Sequence, residues 1–600
     1  MCGINAIFAY RDHTLPVDEQ ELIATRESMR SRGPDASTMW MSPDGRVGLG
    51  HRRLAIIDLS PGGAQPMCRA QNIIVFNGEI YNYRELRSQL ESHGVRFTSQ
   101  SDTEVLLQLY AARGPDMLSD LRGMFAFALW DSAKRRLLLA RDPYGIKPLY
   151  YADDGATVRV ASQVRALIAS ERVPKKFDPA GAVGFFLRGT VPEPFTMYRA
   201  IRALPAGSYC FVDAKGAREP IQYFSIAETL RAGLETAQPP DPETLVHDAL
   251  LESVKYHMVS DVPVGAFLSA GIDSTSIVAL ARESGAADLQ TMTLRFAEYR
   301  GRVNDEAPLA AQVATQYGVP HTIRDLTHDA FKRELPRVFE AMDQPTVDGL
   351  NSYFISKAAA EMGLKVALSG TGGDELFGGY TSFRDIPRWI PVTRLLARVP
   401  HLGNLIAEFN SMLVRRSRHI SPKMGEIVRY GSSYAGAYLV KRGRFLASEL
   451  HNMLDPEITR EGLQRLNLLG LIESAITPDP GTPYARVVAL ESSFYLRNQL
   501  LRDMDWASMA HSLEVRVPLV DAHLLGRLAP LLVHREGRGK QILAAAPRPP
   551  LPPAVRSRRK TGFTLPINEW LREEGRVEHG KRSWARRVYR EIFSEARGSW

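Results

Sequence analysis

The sequence predicts two layered domains in one chain, an α+β domain followed by an α/β domain built on a parallel sheet. Three observations carry this. The chain has 600 residues, too many for one hydrophobic core. Up to about residue 210, short β-type runs alternate with turns and with helical stretches. From about residue 245 the rhythm becomes helix, compact apolar strand, Gly/Ser turn and helix, as in parallel sheets with ligands at the strand C-terminal ends.

In chain order, AIF, VGLGH, RLAIID, NIIVFNGEIY, GMFAFALWD, RRLLLARD and GSYCFVD are expected as strands of the first domain, residues 2–210. YRELRSQLESHG and SDTEVLLQLYAARG, with apolar positions three and four apart, are expected as its helices. Residues 226–244 hold a Pro-Pro-Asp-Pro cluster and read as a linker entering a new helix. The second domain takes residues 245–600. In it VPVGAFLS, LQTMTLRF and LKVALSG are short buried strands, and residues 381–490 read as mostly helical. PRPPLPPAV (547–555) reads as a loop, and residues 565–600 close with a helix.

Hydrophobic residues at 44% and charged residues at 24% exclude a disordered polymer, a collagen-like fibre and a polytopic membrane protein. No apolar run is long enough for a bilayer span. The N-terminus lacks a signal peptide's basic region and cleavage site. Three cysteines (Cys2, Cys68, Cys210) cannot build a disulfide framework in a chain this size. The compartment expected is the cytoplasm. The net charge of +8 does not gather in one arm. RSRRK (556–560) and KRSWARR (581–587) read as solvated faces, and no nucleic-acid partner is expected.

Three places carry chemistry. Cys2 follows an initiator Met whose removal exposes it, joining a thiol nucleophile to an α-amine of pKa about 7.7–8.0 that can serve as its own base. FLSAGIDSTS (267–276) runs from an apolar strand through a Ser/Gly turn into a helix, aiming N–H groups and hydroxyls at an anion. It is not a Walker loop, since GxxxxGK[ST] is absent from the chain. VALSGTGGDELFGGY (366–380) ends another buried strand in a Gly-rich turn bearing two carboxylates, suited to Mg²⁺ and to close approach of a nucleotide.

MCGI, SRGPD (31–35), HRRLAIID (51–58), NGEIYNY (77–83), SDTEV (101–105), GMFAFALWD (123–131) and RDPYGIKPLYY (141–151) occur in this order. Together they closely resemble the glutaminase domain of class II glutamine amidotransferases, which are N-terminal nucleophile hydrolases. That resemblance implies an α/β/β/α sandwich in which Cys2 attacks glutamine while the Asn77 side chain and the Gly78 N–H form the oxyanion hole. Arg53 would hold the substrate carboxylate, with Asp102 and Glu79 on its ammonium. Ser31 departs from the family's usual His.

The 267–276 turn resembles the SGGxDS loop of adenylating ATP pyrophosphatases, with Ala270 in place of the second Gly. With 257–274, 366–380, MDWASMAHSLEVRVPLVD (504–521) and GKQIL (539–543), the chain resembles the glutamine-hydrolysing asparagine synthetase family over nearly its whole length. By that resemblance Leu268, Leu294, Ser369 and Gly370 contact adenosine, and Ser269, Gly271 and Ser274 cradle the phosphates of ATP. Asp273 and Asp374 hold Mg²⁺, and Lys540 faces the phosphates or the developing charge. The implied reaction releases ammonia at Cys2, adenylates an acceptor carboxylate and joins the two, leaving AMP and pyrophosphate. Ammonia would cross an internal passage at the domain interface, and a homodimer is a family expectation.

Departures fall where the acceptor should be recognised. Thr371, placed with the catalytic residues, stands where aspartate-amidating relatives often have an acid. The stretch 342–357 has Asp348 and Asn351 but no Arg, and Asp505-Trp506 replaces a frequent Asp-Arg. Aspartate is the first acceptor expected, and a carboxylate on a larger metabolite, a sugar or a biosynthetic intermediate is the alternative. A catalytically weak binding or regulatory member of the family is the third reading, opposed by the intact Cys2, Asn77, Asp102, Asp273 and Asp374.

Overall fold

The computed structural model describes residues 2–238, 240–302, 304–396, 423–534, 539–558 and 580–593, with positions 398, 406, 565, 566, 569 and 570. Two antiparallel sheets form the first half. One runs in the order Arg202–Ala203, Tyr150–Asp153, Thr157–Ala161, Gly3–Ala9, Val47–Arg53, Ala36–Met41. The other centres on Asn72–Ile80, Gly123–Asp131, Arg136–Arg141 and Ser208–Asp213.

Alternating side chains decide the layering. Ile4, Ala6, Phe8, Val47 and Leu49 of one sheet meet Ile73, Val75, Ala126, Ala128, Leu137 and Leu139 of the other in a dry middle layer. The opposite-facing residues Ile74, Phe76, Phe125 and Phe127 pack with Leu86, Leu90, Val105, Leu106 and Leu109 of the helices Tyr83–Ser92 and Asp102–Arg113. Ile7 and Ala9 pack with Leu22 of the helix Glu19–Glu27 on the far side. The result is the expected α/β/β/α sandwich.

The second half is built on a five-stranded parallel sheet in the order His321–Leu326, Gln290–Phe296, Val264–Phe267, Val366–Leu368, Glu514–Arg516. Helices Ile272–Glu283 and Leu350–Glu361 are among those covering it, and Glu491–Leu501 is wound as a π-helix. One apolar cluster runs from the helices on the first half into Ala266 and Ile277 of the second, so the halves share a core. No helix among the described residues is long and apolar enough to cross a membrane.

Several expectations are corrected. Of RLAIID only Arg53 remains in a strand; the Ala55 N–H turns to the Asp35 carboxylate, and Asp58 takes a left-handed φ of 50°. Strands Ala36–Met41, Met67–Arg69, Tyr150–Asp153 and Thr157–Ala161 add to those expected. In the segment read as a linker, Ile226–Leu234 is a helix whose Ile226, Ala227, Leu230 and Gly233 are buried, and it packs on the helix Ala522–His534. Within the expected loop, Pro553–Arg556 makes one helical turn. The cluster 581–587 is no solvated face: it lies in the helix Gly580–Phe593 with Trp584 and Ala585 buried. Of the other basic cluster, positions 559 and 560 lie outside the described residues, as do parts of 381–490 and 565–600.

Candidate functional site

Cys2 enters the middle strand of the first sheet with its side chain buried. Its N–H donates to Asn77 Oδ1 at 3.0 Å. That contact fixes the amide's orientation and leaves Asn77 Nδ2 buried without a hydrogen-bond partner. Gly78 follows at φ 153°, and a Cβ there would collide with the Met124 carbonyl oxygen, so only glycine fits. Burial pushes the Cys2 thiol up, opposed by a Leu54 backbone hydrogen bond and by Arg53.

Arg53 is braced by the 58–60 turn, donating to the Ser60 carbonyl at 3.1 Å and to the Asp58 carbonyl. Asp102 opens its helix and accepts the Ile80 N–H at 3.0 Å; burial pushes its carboxyl up to about 6. Glu79 is buried too, and burial together with Glu514 and Asp102 holds its carboxyl well above the usual range. Its Oε2 has no hydrogen-bond partner and lies 3.8 Å from Arg516 Nη2. Arg516, with Nε on Glu514 at 2.6 Å, comes from the edge strand Glu514–Arg516 of the parallel sheet.

The second site is a cavity of about 430 Å³ at the C-terminal ends of the parallel strands. Leu268, Ser269, Gly271, Asp273, Ser274, Leu294, Ser369, Gly370, Thr371, Asp374 and Lys540 all line it. In the first loop Ser269 Oγ and Ser274 Oγ are 3.0 Å apart, and Ala270 is held at φ 52°. Glycine is the residue at ease there; the alanine costs about 1 kcal/mol. A Cβ on Gly370 would lie 2.7 Å from the Ser274 nitrogen, so the two loops touch. Lys540 Nζ sits between the carboxylates of Asp273 and Asp374, 2.8 Å from the latter. Thr371 Oγ1 is 3.0 Å from Ser369 Oγ.

The cavity is also lined by residues that the sequence did not single out: Asp503, Tyr495, Glu375 and Lys581. Asp348 pairs with Lys581 at 3.0 Å. Asp503 accepts from Thr346 Oγ1 at 2.8 Å and Trp506 Nε1 at 3.1 Å, and burial beside Asp348 pushes it up to about 7. Trp506 packs rather than lining the cavity, its ring so close to Gly349 (φ 89°) that a Cβ there would lie 2.6 Å away. Burial beside Asp374 pushes Glu375 up to about 7, with the Tyr380 hydroxyl donating to it at 2.8 Å.

A buried ion pair ties the backbone at Cys2 to the second half of the chain. Arg32 donates from Nε to the Cys2 carbonyl at 3.1 Å and grips Asp505 with both terminal nitrogens at 2.7 and 3.0 Å. No signal near either residue announces this; they lie 473 positions apart.

Two family models match the chain, one described as a glutamine amidotransferase domain over residues 1–224 and one as asparagine synthase over residues 245–591. Asparagine synthetase (glutamine-hydrolyzing) 1 of Bacillus subtilis (strain 168) is 32% identical, covering 99% of this chain and 91% of its own. A putative asparagine synthetase (glutamine-hydrolyzing) of Mycobacterium bovis is 33% identical over 91% of this chain and 84% of its own. Amidase chry2 of Gibberella zeae is 30% identical over 64% of this chain and 60% of its own.

Proposed function

The chain belongs to the asparagine synthase family, and from that premise we propose that it hydrolyses glutamine at Cys2 and uses the ammonia to amidate a carboxylate activated by ATP as an acyl-adenylate. The observation that carries the synthetase half is the closure of two strand-end loops on Lys540, which gathers Asp273 and Asp374 around one cation position inside a nucleotide-sized cavity.

On the glutamine side, removal of Met1 frees the Cys2 nitrogen beside Asn77 Oδ1 as the general base for its own thiol. The thiolate attacks the side-chain amide, and the unspent Asn77 Nδ2 with the Gly78 N–H receives the oxyanion. Arg53 takes the glutamine carboxylate, and Asp102 with Glu79 its ammonium. Collapse of the tetrahedral adduct breaks the C–N bond and expels ammonia, which takes the proton held by the Cys2 amine, and water then releases glutamate from the thioester.

On the synthetase side, Leu268, Leu294, Ser369 and Gly370 would hold adenosine, with Ser269, Gly271 and Ser274 on the phosphates. Among the described residues no group of three or more His, Cys, Asp or Glu could hold a metal. The Asp273–Asp374 pair nonetheless fits Mg²⁺, which takes few carboxylates and completes its shell with phosphate oxygens and water. When bound, it would neutralise phosphate charge. Lys540 supplies a fixed ammonium beside the same carboxylates, which hold it charged against its burial. Thr371 Oγ1, paired with Ser369, would offer the acyl centre a neutral hydroxyl.

L-aspartate is the acceptor that the relatives' names suggest. A second reading, amidation of another carboxylate, is favoured by the acceptor end, where Asp348, Asp503 and an already paired Lys581 replace a cation open to aspartate's α-carboxylate. The deciding experiment is pyrophosphate release with ATP, Mg²⁺ and glutamine, with and without L-aspartate, followed by mass analysis of the product. Aspartate-dependent release with asparagine establishes the first reading; glutaminase activity without it moves the search to other carboxylates. Cys2→Ala should abolish use of glutamine and spare use of ammonium salts, and glutamine use surviving that change would refute the nucleophile.

A further inference from the structure

Behind the Asp348 end of the cavity lies a cluster of cations that neither half-reaction uses. Four have carboxylates of their own: Lys581 with Asp348 at 3.0 Å, Arg582 with Glu449 at 2.8 Å, Arg442 with Glu491 at 2.8 Å and Lys441 with Asp385 at 2.6 Å. Arg188 and Arg444 have no ion-paired carboxylate among the described residues, though Asp348 is near enough to half-buried Arg444 to favour its charge.

Arg188 ends the helix Pro179–Arg188 and is only 6% exposed, with Nη1 buried and without a hydrogen-bond partner. Its guanidinium lies 5.1 Å from the Tyr438 ring centre and hydrogen-bonds with Tyr438, so Nη1 is the donor left over. Arg444 Nε is likewise buried and unbonded, and sits 3.5 Å from where a Cβ on Gly189 would be. Two guanidinium groups so placed are costly to bury without a counter-charge. The strain shows in Lys423, which donates to the Gly443 carbonyl at 2.7 Å and is pushed down to about 8 by burial and by Arg444, Arg582, Lys441 and Arg188.

We propose that Arg188 and Arg444 form an anion-binding pocket adjoining the acceptor end of the cavity, which takes an oxyanion of the phosphate or carboxylate class. The forked donors of arginine match such groups two bonds at a time. The oxyanion either belongs to the acceptor, as a second acidic group beyond the carboxylate that is amidated, or is a free ion. The pocket's position relative to an acceptor rests on the function proposed above; its binding of an oxyanion does not.

The test is calorimetric titration of the full chain with inorganic phosphate, the nucleotide site filled by Mg²⁺ and a non-hydrolysable ATP analogue, against sodium chloride of equal ionic strength. One saturable phosphate per chain is expected, weakened at least tenfold by Arg444→Met, which keeps the apolar stem. Arg188→Lys, which retains charge and packing but loses the fork, should also weaken it. Absence of saturable binding, or equal binding by Arg444→Met, overturns the proposal. Phosphate that raises the acceptor KM in the pyrophosphate assay without lowering kcat assigns the pocket to the acceptor; bound phosphate that leaves KM unchanged assigns it to a free ion. Because the titration needs no turnover, a failed amidation assay would count against the reaction and leave the pocket standing.

Discussion

Asn77 offers a way to test the oxyanion hole. Its Oδ1 is spent on the Cys2 nitrogen at 3.0 Å, while its Nδ2 is buried and unbonded. Asn77→Asp keeps the acceptor and the shape, exchanges the donor for an oxygen and adds a carboxylate charge beside the Cys2 nitrogen, so the pH profile of kcat is read with it to separate a lost donor from a shifted base. Since Nδ2 makes no hydrogen bond in the free protein, the exchange removes none from the ground state. The loss falls on the transition state, where one oxyanion donor is worth about 2.7–4 kcal/mol, or roughly 10²–10³ in kcat. The assay is glutamate release under saturating glutamine, run beside amidation driven by ammonium salts. The expected result is a fall of that size in the first and less than threefold change in the second. A glutamine-dependent kcat within threefold of the parent, or a change confined to KM, would show that Nδ2 does not meet the developing charge.

Asp505→Ala leaves the fully buried Arg32 without its counter-ion and should cost about 3–5 kcal/mol in denaturant unfolding, with Arg32→Met/Asp505→Ala recovering most of it; a loss below 1 kcal/mol would refute the coupling. For Asp102, raised to about 6, kcat/KM for glutamine should fall below pH 6 as the carboxylate that attracts the ammonium is protonated, and Asp102→Asn should lower kcat/KM and flatten that limb. Because its folded pKa exceeds the unfolded value near 3.9, Asp102's stabilising share is present below about pH 4 and lost as pH rises through 6. Asp102→Asn should therefore raise stability at pH 8 by roughly 2–3 kcal/mol in urea titrations. Lys540→Met should cut pyrophosphate release at least a hundredfold while glutamate release stays within twofold, and equal loss of both would place Lys540 outside the adenylation site.

What the sequence disclosed was local. Asn72–Ile80 and Gly123–Asp131 were readable because their apolar residues sit in unbroken runs, and the loops at 268–274 and 369–374 because strand, turn and helix N-terminus are contiguous. Ile226–Leu234 was obscured by the prolines after it, although Ile226, Leu230 and Gly233 already traced a helical stripe. Ala36–Met41 is an edge strand with no buried residue, so it lacks the alternation that marks its neighbours. In KRSWARRVYREIF the charge count hid a stripe of Trp584, Val588 and Phe593, and with it the placement of Lys581 in the cavity. Arg516 beside Glu79 and Arg32 beside Asp505 are products of chain folding across hundreds of residues, which no local pattern encodes.

The Arg32–Asp505 pair also orders events on the ribosome. A growing chain displays its glutaminase half long before the helix Arg502–Met509 has been synthesised. Until then Arg32 can stay charged only in contact with water, and the Cys2 carbonyl it braces lacks its final support. The final order around Cys2 therefore depends on a residue supplied by the last hundred positions of the chain.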